Sequence, residues 1–281
     1  MKSFAVVSVL ASVAFAQTTS SLIPTGISST CGSFLSTLNN DSSLASCTTP
    51  LISATSAILS GNTTSTSGVS STLNNVCGSA VQCDEVAIRK QLTSFYQSCT
   101  SDMGTNSDVL AMYDALYAIV PLKKAICSKD DSGAYCATAS TSSGTSLTSL
   151  YSKVTAAAQS VFKLNVSTLK STNIAFLFLK ATTDSAKLCT SCTRSIFTSY
   201  ASWETSIPYG PGIANSPLLG GQSDLYNGMK STCGDSFLTG AVQAAGSLSD
   251  GLISNGAAPQ AHMGGLAAIV GAASVVAAFA L

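Results

Sequence analysis

The chain has 281 residues, of which 9% are charged, and its thirteen basic and thirteen acidic side chains cancel. That balance leaves no basic patch, so nucleic-acid binding has no electrostatic basis, and no acidic tail or block of like charge appears. Serine and threonine supply about a quarter of the residues, a bias typical of chains exposed to O-glycosylation.

The N-terminus has the three parts of a secretory signal: Lys2, the apolar run Phe4 to Val13, and the small-x-small site Ala14-Phe15-Ala16. Residues 1–16 are therefore expected to be removed, leaving Gln17 first. The other reading, an uncleaved anchor, has to contend with a run too short to span a bilayer. Residues 17–30 form a Ser/Thr-rich segment ahead of a cysteine-rich region, 31–240.

Helical spacing recurs through that region. Cys31, Phe34, Leu35 and Leu38 follow i, i+3, i+4, i+7, and Asn39-Asn40-Asp41 stops the run. Pro50 suits a first helical turn, with Leu51, Ala54 and Ile58 on one face. Ile88, Leu92, Phe95, Tyr96 and Cys99 form a stripe capped by Asp84. Val109, Met112, Tyr113, Leu116, Tyr117 and Val120 form another, which Pro121 is expected to kink or end. In the second half the stripes are Leu147 to Val161, then Cys189, Cys192, Ile196, Tyr200 and Trp203, then Leu225, Tyr226, Met229 and Cys233. Strand signals are poor: Ile174 to Leu179 reads as a strand or a buried helical turn. The expectation is an all-α, disulfide-linked helical bundle. A long Pro/Gly-rich loop, Ser206 to Gly221, interrupts it; such loops are often functional, and the plainer account is a surface excursion pinned by prolines.

The ten cysteines are Cys31, Cys47, Cys77, Cys83, Cys99, Cys127, Cys136, Cys189, Cys192 and Cys233. Behind a signal peptide, an even count reads as a disulfide framework whose pairing the sequence leaves open. The Ser/Thr-rich stretch Thr138 to Thr148 separates seven cysteines from three, so full pairing requires at least one bridge across it. The two halves are thus expected to form one unit, with bridges joining helices through the core. Asn40, Asn62 and Asn165 lie in N-x-Ser/Thr sequons, about the number that eleven asparagines in so Ser/Thr-rich a chain give by chance. Asn62, in a polar Gly/Ser/Thr stretch, is the best acceptor.

From Gly264 to Leu281 no residue is charged. A membrane-spanning helix is normally followed by Lys or Arg on its cytoplasmic side. Small residues Ser254 to Ala257, a spacer Ala258 to Met263 and this apolar tail match a GPI signal. Attachment is expected at Asn255, or upstream near Ser249 to Gly251, with 241–255 as a stalk and 256–281 removed. The alternatives are a helix embedded through its tail and an apolar core helix. The GPI reading puts the protein on the outer leaflet, with cell-wall glycans as further partners.

Several motifs together form a familiar pattern: Cys31-Gly32-Ser33-Phe34-Leu35 with Leu44-Ala45-Ser46-Cys47, and Tyr113-Asp114-Ala115-Leu116-Tyr117 with Pro121-Leu122 and Ala125-Ile126-Cys127. Leu188-Cys189-Thr190-Ser191-Cys192, Gly221-Gln222 and Cys233-Gly234 complete it. The chain resembles, from about Cys31 to Leu238, a fungal family of secreted, often GPI-anchored proteins whose shared domain has no assigned function. The resemblance implies location and cell-wall context. Its motifs are cysteines and packing residues, so it transfers no catalytic residue.

The chemistry left is sparse. His262, the lone histidine, lies beyond the expected attachment site, which removes Ser-His-Asp, Cys-His and His-ligated metal sites from the mature chain. Cys189-Thr190-Ser191-Cys192 has redox-dithiol spacing, but it lies on one helical stripe, so two separate structural bridges are expected. Glu85 and Glu204 are the only glutamates, and eleven aspartates supply no motif that selects a catalytic pair. Asp130-Asp131-Ser132-Gly133 lacks calcium-loop spacing and reads as a polar turn closed by a bridge. Tyr96, Tyr113, Tyr117, Tyr151, Tyr200 and Trp203 read as core. No catalytic, cofactor or metal residue is assigned.

The leading expectation is a non-enzymatic surface protein with a structural, adhesion or interaction role. One alternative is a module binding a small apolar ligand, a sterol or fatty acid, near the loop residues Trp203 and Tyr209. The other is a carboxylate-dependent glycan hydrolase.

Overall fold

A computed structural model describes residues 23–41, 44, 47, 66–78, 81, 83–141 and 173–240. The signal peptide, the Pro50 helix, Asn62, Tyr151 and the stripe around it, Asn165, the stalk, Asn255 and the apolar tail lie outside the described residues. Among those described, the fold is all-α and disulfide-linked, and no helix is long and apolar enough to cross a membrane.

The centre is α4, Ser107–Cys127, whose side chains from Val109 to Pro121 are buried almost without a break. A helix apolar all round must be surrounded, and it is. On one side lies α3, Glu85–Met103, which turns Ile88, Leu92, Phe95 and Cys99 inward. Asp84 caps α3 by accepting from Val86 N and Ala87 N, as its position before the stripe predicts. Beyond α3 lies α1, Ser29–Asn39, which ends at Asn40 as expected and buries Cys31, Leu35 and Leu38. Ser28 joins the two: its backbone N–H and hydroxyl both donate to the Asp102 carboxylate, at 2.9 and 2.7 Å. Those bonds hold the Asp102 carboxyl below the usual carboxylate range.

Also packed on α4 are α2, Thr66–Cys77, the short α5, Cys136–Thr141, and α7, Ser191–Ser206. The remaining α-helices among the described residues are α6, Ser185–Leu188, and α8, Gln222–Cys233, which pack on each other.

Three expectations need correction. Of the two outcomes expected at Pro121, a kink or an end, the end does not occur: the helix runs on to Cys127, its buried surroundings holding the turn that lacks one backbone donor. The stripe from Cys189 to Trp203 does not begin in a helix: Cys189 is the C-cap of a short helix ending at Leu188, and only Cys192 to Trp203 share one helix. Thr190 breaks it, accepting at 3.2 Å from Thr193 N as the N-cap of α7. The turn at Asp130 is not closed by a disulfide. A backbone bridge between Lys129 and Tyr135 closes it, while Asp130 Oδ1 accepts from Ser132 N, Ser132 Oγ and Ala134 N. Gly133 supplies the left-handed residue the turn needs, at φ 85°.

Ile174–Phe176 is a buried turn of 3₁₀-helix, flanked by Asn173, Leu177 and Phe178 in left-handed conformation. The Asn173 amide donates to the Leu179 carbonyl and closes the turn.

Candidate functional site

All ten cysteines are paired, as a disulfide framework requires: Cys31–Cys99, Cys47–Cys83, Cys77–Cys127, Cys136–Cys192 and Cys189–Cys233. The Cα separations of 4.7 to 5.4 Å lie within the usual span of a disulfide. Cys31–Cys99 ties α1 to α3, Cys77–Cys127 ties α2 to α4, and Cys136–Cys192 ties α5 to α7. Cys136–Cys192 is the bridge that crosses the Thr138 to Thr148 divide. Cys189 and Cys192 serve separate bridges, so no dithiol remains at that spacing. The reason differs from the one the stripe suggested: Cys192 does sit in the first turn of a helix, where a thiol would be acidified, but Cys136 holds it.

The Pro/Gly-rich segment is folded back onto α4 rather than looped into solvent. It buries Tyr209, Ser216, Leu218 and Leu219 and contains a short 3₁₀ turn, Ile213–Asn215. Its anchor is Asp114, a carboxylate 1% exposed in the middle of the apolar helix. Tyr209 OH donates to Asp114 Oδ1, while Ser216 Oγ and Leu218 N donate to Oδ2 at 2.7 and 2.9 Å. Both carboxylate oxygens are thereby engaged. Burial pushes the Asp114 pKa up to about 6, against these three donors, which lower it.

The rings around this anchor are continuous. Tyr209 meets Tyr113 and Tyr117 edge-on at 5.4 and 5.1 Å, and Tyr117 meets Trp203 edge-on at 6.1 Å. Tyr117 OH donates to the Ile207 carbonyl at 2.5 Å, where the segment leaves α7. Trp203 and Tyr209, the residues expected to flank a ligand loop, are 1% and 5% exposed and serve as packing between α4, α7 and this segment. Tyr113, Tyr117 and Tyr200 are buried too, whereas Tyr96, read as core, is 37% exposed with its ring over Gly210.

A second buried carboxyl, Glu204, lies at the α7–α8 seam. Gln222 Nε2 donates to Glu204 Oε2 at 2.6 Å; Glu204 Oε1 and Gln222 Oε1 are both buried without a partner. Burial pushes the Glu204 pKa up to about 8, so the group is largely a neutral acid at pH 7. Tyr200 OH and Trp203 Nε1, on the same helix, are also buried and unpartnered.

Asp114 and Glu204 thus meet protein, not an open cleft. A glycosidic bond needs two carboxyl groups facing a solvent-filled space, and these two secure helix–loop and helix–helix contacts instead. Of the sequons, Asn40 is exposed at the end of α1, with its amide on the Ser36 carbonyl at 2.8 Å. Sequence reasoning passed over Asp114. The signal was present: a lone carboxylate inside the apolar run Val109 to Val120 needs buried partners. Comparison with known protein families, with curated proteins and with solved structures finds no match to this chain.

Proposed function

We propose that the chain is a secreted protein held on the outer cell surface or in the cell wall by a GPI anchor, with a structural, adhesion or interaction role and no catalytic one. The observation that carries this reading is the complete pairing of ten cysteines into five bridges. Such a framework belongs to an oxidising compartment, which is where the N-terminal signal would send the chain. The terminal apolar tail supplies the anchor, and the resemblance to fungal cell-surface proteins supplies the setting. The buried carboxyls support a non-catalytic role, because their bonds go to the fold.

The test is the intact mass of the mature protein extracted from cells. A chain starting at Gln17, lacking the residues after about Asn255 and carrying a glycolipid supports the reading. Release by phosphatidylinositol-specific phospholipase adds to it. A mature mass that retains the tail overturns the anchor.

A further inference from the structure

We propose that the groove between the C-terminal half of α4 and α7 binds an anionic sugar, a sugar ring carrying a phosphate, sulfate or carboxylate group. The groove has a volume of about 330 Å³ and is lined by Lys124 from α4 and by Arg194, Ser195, Thr198, Ser199 and Ser202 from α7. It deepens the interaction role proposed above by naming a ligand class, and it rests on that reading only for where the ligand is met.

The two walls supply positive charge. Arg194 is held in place from behind: its Nε donates to the Phe237 carbonyl at 3.0 Å, and its guanidinium carbon lies 4.8 Å from the centre of the Phe237 ring. Those contacts use one of five N–H donors and leave the terminal fork for a ligand. A guanidinium fork matches the paired oxygens of phosphate, sulfate or carboxylate. Lys124 faces it across the groove, paired at 2.7 Å with Glu85, which also lies 3.9 Å from Arg89. Arg89 in turn sits over the Trp203 ring. Lys124 and Arg89 thus share one anion, Glu85, and Arg194 lines the same groove as Lys124, on a molecule whose formal charges cancel overall.

The floor supplies acceptors. Ser195, Thr198, Ser199 and Ser202 recur at i, i+3, i+4 and i+7, the spacing of a helix face. Thr198, Ser199 and Ser202 each donate their hydroxyl proton back to a carbonyl of α7, so their lone pairs remain free to accept. A ligand that satisfies both surfaces carries an oxyanion for the walls and hydroxyl groups for the floor. An anionic sugar has both; a fatty acid lacks the hydroxyls, and a neutral glycan lacks the charge.

The test uses the mature protein in solution, with glucose 6-phosphate, glucuronate, inorganic phosphate and glucose as probes followed by isothermal titration. Glucose 6-phosphate or glucuronate is expected to bind, more weakly as salt rises, with affinity at least about tenfold above that of glucose. Lys124→Gln, at a half-exposed position that leaves the core intact, is expected to weaken binding severalfold. Glu85→Gln is expected to strengthen it, because the competing carboxylate is gone. Inorganic phosphate binding as tightly as glucose 6-phosphate would overturn the sugar assignment. Failure of both anionic sugars to bind at millimolar concentration, or binding unmoved by both substitutions, would overturn the site. Neither result bears on the anchor, which the mature mass tests separately.

Discussion

A carboxyl group enclosed by protein is costlier as an anion than as an acid, and Glu204 and Asp114 both feel this. Their folded pKa values are raised, from 4.5 to about 8 and from 3.8 to about 6. The folded state therefore keeps protons that the unfolded chain releases. The stability this contributes is complete below about pH 4 and is lost as pH rises through about 6 for Asp114 and about 8 for Glu204. Each proton so held gives a slope of about 1.4 kcal/mol per pH unit within its window. Asp102 acts in the opposite sense: its pKa is lowered, so its contribution is lost as pH falls. Urea unfolding is expected to show greatest stability at mildly acidic pH and a falling midpoint toward pH 8. Glu204→Gln should raise the midpoint at pH 8 and change it little at pH 5. A variant with a lower midpoint at pH 8 would mean that Glu204 is charged and paired in the fold. The sequence marks Glu204 as one of two glutamates and leaves Asp114 in plain view among apolar neighbours. It does not tell which groups answer them, because Ser216 and Leu218 lie about a hundred residues further along the chain.

Among the helices, what was legible follows from burial. A stripe at helical spacing is written in the residues themselves, so α1, α3, α4 and α8 stand where the spacing predicts, and the Asp84 cap and the Asn40 stop follow. The breaks were harder. Thr190 is compatible with helix interior or cap, and the two readings differ only in contacts made elsewhere. Pro121 looks like a boundary locally, yet packing against α2, α3, α5 and α7 overrides it. The Ser206 to Gly221 segment has turn chemistry, and its course is set by Asp114, which lies on another element. Close approach leaves one mark that the sequence hides. Gly228, inside α8, would place a Cβ 2.6 Å from Ala181 Cα and 3.0 Å from the Ala181 carbonyl oxygen. Helix propensity alone would make Gly228→Ala favourable by about 1 kcal/mol. The backbone contact cannot swing aside, and overpacking of this kind costs about 1–3 kcal/mol. The substitution is therefore expected to lower the thermal midpoint; a rise would mean that α8 is free to move off residue 181.

For the molecule as a whole, the even cysteine count foretold a complete framework, and parity foretold a bridge across the Ser/Thr-rich divide. The partners themselves were out of reach, since pairing depends on which helices meet. Cys136–Cys192 spans 56 residues. In the chain-entropy account, closing a loop of that length contributes about 4 kcal/mol. Replacing both cysteines by serine should lower unfolding stability by about that amount while the other four bridges persist, as thiol counting and urea titration would show. A loss under about 1 kcal/mol would mean that packing alone holds α5 to α7.

The bridges also sort the chain by order of synthesis. Cys31, Cys47, Cys77, Cys83, Cys99 and Cys127 pair only among themselves, and Cys136, Cys189, Cys192 and Cys233 do likewise. A polypeptide threaded N-terminus first into an oxidising lumen can seal the first six before the seventh emerges. If the chain is secreted as proposed above, wrong partners are scarce at each stage, because the later thiols would still be inside the translocation machinery. The covalent map thus suits assembly during delivery, with the first set closed around α4 before α7 arrives to cover it.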